Sequence, residues 1–405
     1  MGAAPGGWSG VLLGAVVFTV ALAALIRFVL GYRERLWTMQ DLDVYLAAGR
    51  LVRSSGDVYG WVSPEGLPFT YPPAAAVFFV WTSFLPAEAM RWISALAGLA
   101  ALLAICWITW GMLGYGRDRQ RLGATLMVAG AALWTEPVLR NLFYGQVNLL
   151  IVVLVMADMA RPDDRRSKGV LIGLAAGVKV VPGVFIAYLL LTRRFRAAAV
   201  AAGSFAATVL AGAVVLPGDT ARFWFHDLFG NSARLEPEFA PNQSLGGMLI
   251  RLAGDPSAAR PYWWVAVVLV GAAGFALAVV AGRRGDDILG MLTCAFTALL
   301  VSPIAWSHHW VWIVPVLVIA VFHFRPGAGA ARLLALPLLY LPFSGGLDLI
   351  WRVPLDHRRE YAWNGVQFAI GNLYVWIGLV LLLAVAVRTF RTRAELGAGN
   401  GPAGS

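Results

Sequence analysis

The stretch GVLIGLAAGVKVVPGVFIAYLLL, residues 169–191, has Arg165, Arg166 and Lys168 before it and Arg193, Arg194 and Arg196 after it. Its length alone would carry a helix across a bilayer, since ~1.5 Å of rise per residue must cover ~30 Å of hydrocarbon. Yet its middle holds Gly177, Lys179, Pro182 and Gly183, and both ends carry the basic residues that mark cytoplasmic connections. A segment that starts and ends on one side reads as two short helices meeting at the far face, with Lys179 near the turn.

Outward from this hairpin the chain is a series of apolar runs. Val11–Leu30, Glu88–Leu113, Leu122–Val138, Gln146–Ala160, Ala197–Leu216, Tyr262–Ala281, Ile288–Val301, Val311–Phe324, Ala331–Pro342 and Val366–Val387 meet or approach spanning length. With the split hairpin they give about twelve crossings and place both termini on one side. Pro72–Phe84 is apolar but short, and reads as an interfacial or re-entrant helix. Met1–Ser9 lacks the basic start of a cleaved signal, so the first span is expected to be retained.

Composition agrees. The 405 residues are 59% hydrophobic and 13% charged, against about 25% charged in soluble domains. Disordered, collagen-like, coiled-coil and disulfide-scaffold classes are excluded, leaving an all-α, polytopic membrane protein. It is expected to be one domain over residues 1–405, with a membrane core at 9–390 and a flexible cytoplasmic tail at 391–405. Cys106 and Cys294 lie inside apolar runs with no metal-ligand spacing, and read as small core residues.

The net charge of +10 does not describe a nucleic-acid groove, because the basic residues are scattered in twos and threes between apolar runs. It describes orientation. Of 32 Lys and Arg, 17 fall in the short connections and tail that the positive-inside rule assigns to the cytoplasm. The expected protein is therefore a multi-pass plasma-membrane protein with cytoplasmic termini. Its long loops, at about 32–87, 217–260 and 343–364, lie on the outer side.

The unusual polar residues fall on that outer face: Asp41, Asp43, Tyr45 and Asp57; Arg140, Asn141, Tyr144, Gln146 and Asn148; Lys179; Asn242–Ser244; Ser307, His308 and His309; and Asp348, Arg352 and Asp356–Glu360. Ionisable groups near hydrocarbon are costly and point to function. Each also has an ordinary reading. A loop Asp is usually just solvated, and Lys179 can snorkel to the interface. His308 and His309 can join an aromatic belt with Trp306, Trp310 and Trp312. Asn242-Gln243-Ser244 matches a glycosylation acceptor by chance.

Five strings in order shift that balance: Asp41-Leu42-Asp43-Val44-Tyr45; Phe69-Thr70-Tyr71-Pro72-Pro73; Gly145-Gln146-Val147-Asn148; Gly177-Val178-Lys179-Val180-Val181-Pro182; and Ser302-Pro303-Ile304-Ala305-Trp306-Ser307-His308-His309-Trp310. Together they resemble the GT-C polyprenol-phosphate-mannose-dependent mannosyltransferases of mycobacteria and relatives, over roughly residues 10–390. The resemblance implies a GT-C membrane fold with its active site on the extracytoplasmic face. It also implies a polyprenyl-phosphate mannose donor, a phosphatidylinositol mannoside acceptor and an inverting transfer giving an α-1,2 linkage.

On that resemblance Asp41 takes the place of the general base, within ~2.6–3.2 Å of the attacking hydroxyl. Asp43 competes for the role: it would share the side of Asp41 in an extended segment and point away in a helix. Lys179 and His308 are the expected contacts to the departing phosphate, where negative charge grows. His309 ranks behind His308, since neighbours on a helix point ~100° apart. Gln146, Asn148, Asn242 and Gln243 are candidate substrate contacts. Arg358 and Arg359 are candidates for phosphate, and Tyr45, Tyr71, Trp306 and Trp363 for sugar stacking. Asp41-Leu42-Asp43 looks like a metal-binding Asp-x-Asp, but a monophosphate donor implies no metal and no other cofactor.

The expected partners are donor, acceptor and bilayer, with no nucleic acid and a monomeric chain. Branching of lipomannan or lipoarabinomannan, or another polyprenyl-phosphate sugar, would use the same motifs. A secondary transporter ranks last, because no internal repeat is found and the polar residues crowd one interface.

Overall fold

The computed structural model describes residues 7–228, 235–323, 336–355 and 358–398. Among them every regular element is helical, and β-pairing is confined to the isolated bridges Val62–Pro68, Thr135–Ser344 and Asn242–Trp306. Of the residues singled out above, Asp356 and His357 lie outside the described residues, as does the start of the Ala331–Pro342 run.

Among the described residues five helices are long and apolar enough to cross a membrane: Trp8–Tyr32, Ala87–Met112, Phe195–Val215, Pro256–Arg283 and Leu373–Arg391. A sixth arises if Glu136–Tyr144 and Asn148–Met159, bent by 115°, count as one span. Several runs read as crossings are interrupted. The run Leu122–Val138 is divided between helices Arg119–Ala132 and Glu136–Tyr144, because Thr135 is extended and Pro137 opens the new helix. Pro72–Phe84 is a short helix, Pro73–Phe78, followed by a 3-10 turn, Phe79–Phe84. The last helix runs on to Ala398, into the segment expected as a tail.

The chain divides into two compact units. The first comprises Met1–Ile186, Phe195–Glu236 and Ser307–Leu349, the second Ala187–Arg194, Pro237–Trp306 and Ile350–Ser405. In the first unit helix α1 (Gly7–Leu36) lies along Arg119–Ala132 at backbone contact: a Cβ on Gly14 would come within 2.4 Å of the Gly123 carbonyl oxygen. Small residues allow such an approach between membrane helices. Helix α2 (Gln40–Arg53) is amphipathic instead of spanning. It buries Leu42, Val44, Tyr45, Leu46 and Ala48 in a cluster with Tyr59, Phe69, Tyr71, Ala75, Phe79 and Phe223.

In the second unit Pro256–Arg283 packs against Asp287–Val301, and Leu373–Ala398 packs against both. Arg251 is buried there and fully engaged: its guanidinium donates to Asn372 Oδ1 at 2.6 Å and to the carbonyls of Glu238, Phe239 and Asn242 at 3.0–3.1 Å. A buried cation with that many acceptors is held as a structural tie.

Candidate active site

The chain enters α2 through Met39, which is fully buried, left-handed (φ 52) and bonded from its N–H to the Phe143 carbonyl at 2.8 Å. A non-glycine residue there costs about 1–3 kcal/mol, so the surrounding packing dictates where α2 begins. Helical spacing then puts Asp41 and Tyr45 on one face and turns Asp43 away. Asp43 pairs with Arg91 at 3.4 Å.

Helices α3 (Glu136–Tyr144) and α4 (Asn148–Met159) meet at Gly145. That residue has φ 68, and a Cβ there would sit 2.6 Å from the Cβ of Leu42. Only glycine satisfies both the left-handed turn and the approach of α2. The turn presents Gln146 and Asn148 beside Tyr45. The Tyr45 and Tyr71 hydroxyls are 2.7 Å apart, and each reaches Gln146 Oε1, at 3.0 and 3.2 Å. Asn148 donates to the same Oε1 at 3.2 Å.

Helix α5 (Val170–Val178) ends at Lys179, which is extended (φ −144, ψ 125), and a 3-10 turn, Val181–Gly183, follows. The expected break near Lys179 is therefore present. Lys179 Nζ donates to Asn148 Oδ1 at 2.7 Å, lies 3.0 Å from His309 Nε2, and stands over the Tyr71 ring at 5.4 Å. His309 belongs to the 3-10 turn Ser307–Trp312, whose start is anchored by Ser307 donating to Glu136 Oε1 at 2.7 Å. Glu136 in turn faces Arg140, which reaches Asp348 at 3.1 Å.

Two of the candidate residues hold a buried polar atom with no hydrogen-bond partner: Oδ2 of Asp41 and Nε2 of His308. Burial pushes the Asp41 carboxyl up from 3.8 to about 6, with the Gln146 amide and the Lys179 charge pulling it back only in part. A carboxylate at that value is a competent proton acceptor near neutral pH. The neighbouring Lys179–His309 pair can stabilise an anion. The arrangement suits attack by a hydroxyl and departure of a phosphate.

The first unit thus brings together Asp41, Tyr45, Tyr71, Gln146, Asn148, Lys179 and His309, with His308 alongside, its ring centroid 4.8 Å from that of His309. Three expectations change in detail. His309, ranked second, is the histidine that meets Lys179, because the two residues lie in a kinked 3-10 turn and not on a regular helix. Tyr45 is no open sugar platform: its ring is stacked on Phe79 at 4.6 Å and it is 1% exposed. Tyr71 is likewise buried and works through its hydroxyl.

The remaining candidates lie in the second unit. Asn242 donates to the Pro237 carbonyl at 2.8 Å and accepts from the Ala305 N–H at 2.9 Å. Gln243 donates to the carbonyls of Ala240 and Gly371, both at 2.6 Å, and accepts from Tyr374 N–H at 3.1 Å. Trp306 packs on Phe239, and Trp363 donates to the Pro354 carbonyl at 2.8 Å. Arg358 and Arg359 are exposed, with Arg358 facing Glu238 at 3.7 Å. Asn141, in sequence only one polar residue among many, joins the site's elements through its bonds to the Pro137 and His308 carbonyls and to Asn148.

Residues 69–303 match glycosyltransferase family 87. The chain is 33% identical over 371 residues to a polyprenol-phosphate-mannose-dependent alpha-(1-2)-phosphatidylinositol mannoside mannosyltransferase of Mycobacterium tuberculosis, covering 86% of this chain and 84% of that relative. It is 30% identical over 347 residues to a polyprenol-phosphate-mannose-dependent alpha-(1-2)-phosphatidylinositol pentamannoside mannosyltransferase of Mycolicibacterium smegmatis, covering 82% and 83%. The chain belongs to glycosyltransferase family 87.

Proposed function

We propose that the protein transfers mannose from a polyprenyl-phosphate mannose to the 2-hydroxyl of a mannosylated phosphatidylinositol, with inversion to an α-1,2 linkage. The observation that carries this reading is the Asp41 carboxylate, whose Oδ2 is buried and unpartnered beside a network that ends in Lys179 and His309. Asp41 takes the proton of the acceptor hydroxyl as its oxygen bonds to the anomeric carbon. The bond from that carbon to the phosphate oxygen breaks, and polyprenyl phosphate leaves with the electron pair. Lys179 and the histidine turn stabilise the charge that collects on the departing phosphate. Tyr45, Tyr71, Gln146 and Asn148 hold this machinery in register.

In this reading the chain works as a monomer that crosses the plasma membrane about twelve times. Its termini are cytoplasmic and its site opens to the periplasmic side, where Lys and Arg are balanced by Asp and Glu. No metal takes part. The deciding experiment gives membranes holding the chain a polyprenyl-phosphate mannose and phosphatidylinositol tetramannoside. Transfer by the wild type and its loss in Asp41→Asn are expected. Substantial transfer by a folded, inserted Asp41→Asn variant would refute the base assignment.

A further inference from the structure

Asn141 in α3 is buried, 2% exposed, and both donors and the oxygen of its side-chain amide are hydrogen-bonded. Nδ2 donates to the Pro137 carbonyl in its own helix at 2.7 Å and to the His308 carbonyl at 2.6 Å. Oδ1 accepts from Asn148 Nδ2 at 3.1 Å. These partners settle which end is which: turned over, the amide would set Oδ1 against two carbonyl oxygens and Nδ2 against an NH2 group. Its backbone takes part as well, since the Asn141 carbonyl accepts from the Gln146 N–H at 2.9 Å and so closes the Gly145 turn.

The consequences run in two directions. Through the His308 carbonyl, Asn141 fixes the backbone of the 3-10 turn two residues before its kink at Trp310. Through Asn148, whose Nδ2 it engages, it directs Asn148 Oδ1 toward Lys179 Nζ. One amide therefore sets the position of both halves of the Lys179–His309 contact. We propose that Asn141 is a positioning residue for the phosphate-binding pair, holding the histidine turn and Lys179 at one mutual geometry. This deepens the reading above and rests on it for the reaction, while the geometry itself can be probed without substrate.

Asn141→Asp keeps the size and the acceptor but loses both donations. The full chain in detergent contains five histidines, so a histidine-selective 15N spectrum can resolve them, with His→Gln variants for assignment. In Asn141→Asp the His308 and His309 signals are expected to shift while those of His226 and His323 stay. In the transfer assay kcat is expected to fall about 10²-fold, as a misplaced catalytic group does, with little change in KM.

Thr109→Val is the control for stability. Thr109 is another buried polar residue of the first unit, whose hydroxyl donates to the Ile105 carbonyl at 2.7 Å. If Asn141→Asp fails to insert, Asn141→Ser carries the same measurements. Unmoved His308 and His309 signals overturn the proposal, and so does a kcat no lower than that of Thr109→Val. A wild type that transfers no mannose counts against the proposed function instead, and the spectra still decide what Asn141 holds.

Discussion

Nζ of Lys179 and Nε2 of His309 lie 3.0 Å apart, with Asn148 Oδ1 a further 2.7 Å contact of the same nitrogen. At that separation one nitrogen donates and the other accepts, and with one of them protonated the pair shares a single positive charge. A fixed charge of this kind acts on a phosphate that gains negative charge as it leaves. Lys179→Ala and His309→Ala are each expected to lower kcat by ~10²–10³ with little effect on acceptor KM. Steady-state kinetics on inserted protein checks this, and wild-type rates in both variants would remove the pair from the mechanism.

Asp41→Asn is expected to lower kcat by ~10²–10⁴, the usual worth of a general base. The wild-type rate should rise with pH through about 6, because only the ionised carboxyl accepts a proton. Stability should run the other way. The folded value lies above 3.8, so the stability linked to this group is fully present below pH 3.8 and is lost as pH rises through about 6. At pH 7 the uncharged Asn should therefore raise the unfolding temperature while abolishing most activity. A lower unfolding temperature would show that the ionised carboxylate makes a stabilising contact in the resting fold.

Asp43→Asn provides the contrast. Asp43 is turned to Arg91 at 3.4 Å, and both side chains are about a third exposed (37% and 30%). Such surface pairs contribute ~0–1 kcal/mol to stability, and a side chain turned away from Asp41 takes no part in proton transfer, so the transfer rate should stay close to that of the wild type. A loss equal to that of Asp41→Asn would move the base to Asp43.

What the sequence could disclose depended on the range of each interaction. The membrane class, the break near Lys179 and the pairing of Gly145 with Gln146 and Asn148 follow from local composition and short spacing. The choice between Asp41 and Asp43 needed only the knowledge that α2 is helical, and an N-terminal boundary at Met39 has no sequence mark because its left-handed turn is imposed by packing. The link from Asn141 to His308 spans 167 positions, and nothing local announces it. The approach of His309 to Lys179 was hidden for a related reason. Spacing arguments assumed a regular helix, whereas the turn Ser307–Trp312 is 3-10 and kinked.

Asn242 and Gln243 illustrate the opposite outcome, polar residues whose atoms are spent on the fold. Both are completely buried, and both amide ends are bonded within the second unit. Asn242→Ala would leave the Ala305 N–H and the Pro237 carbonyl without their partner, at ~1–3 kcal/mol for each group left unsatisfied. The expected result is a lower unfolding temperature with substrate KM unchanged in the folded fraction. A raised KM at unaltered stability would restore Asn242 as a substrate contact.

The metal requirement can be argued from the same helix. Asp41-Leu42-Asp43 spells Asp-x-Asp, but residues two apart on a helix point ~200° apart, and Asp43 is engaged by Arg91. The two carboxylates therefore do not converge on one cation. Among the described residues no three or more His, Cys, Asp or Glu are grouped to hold a metal ion. In the proposed reaction the donor carries one phosphate, and Lys179 supplies the positive charge it needs. Transfer should proceed unchanged in excess EDTA and gain nothing from added magnesium or manganese. Complete loss on chelation, restored by either ion, would require the leaving phosphate to be held by a metal and would displace Lys179 from that role.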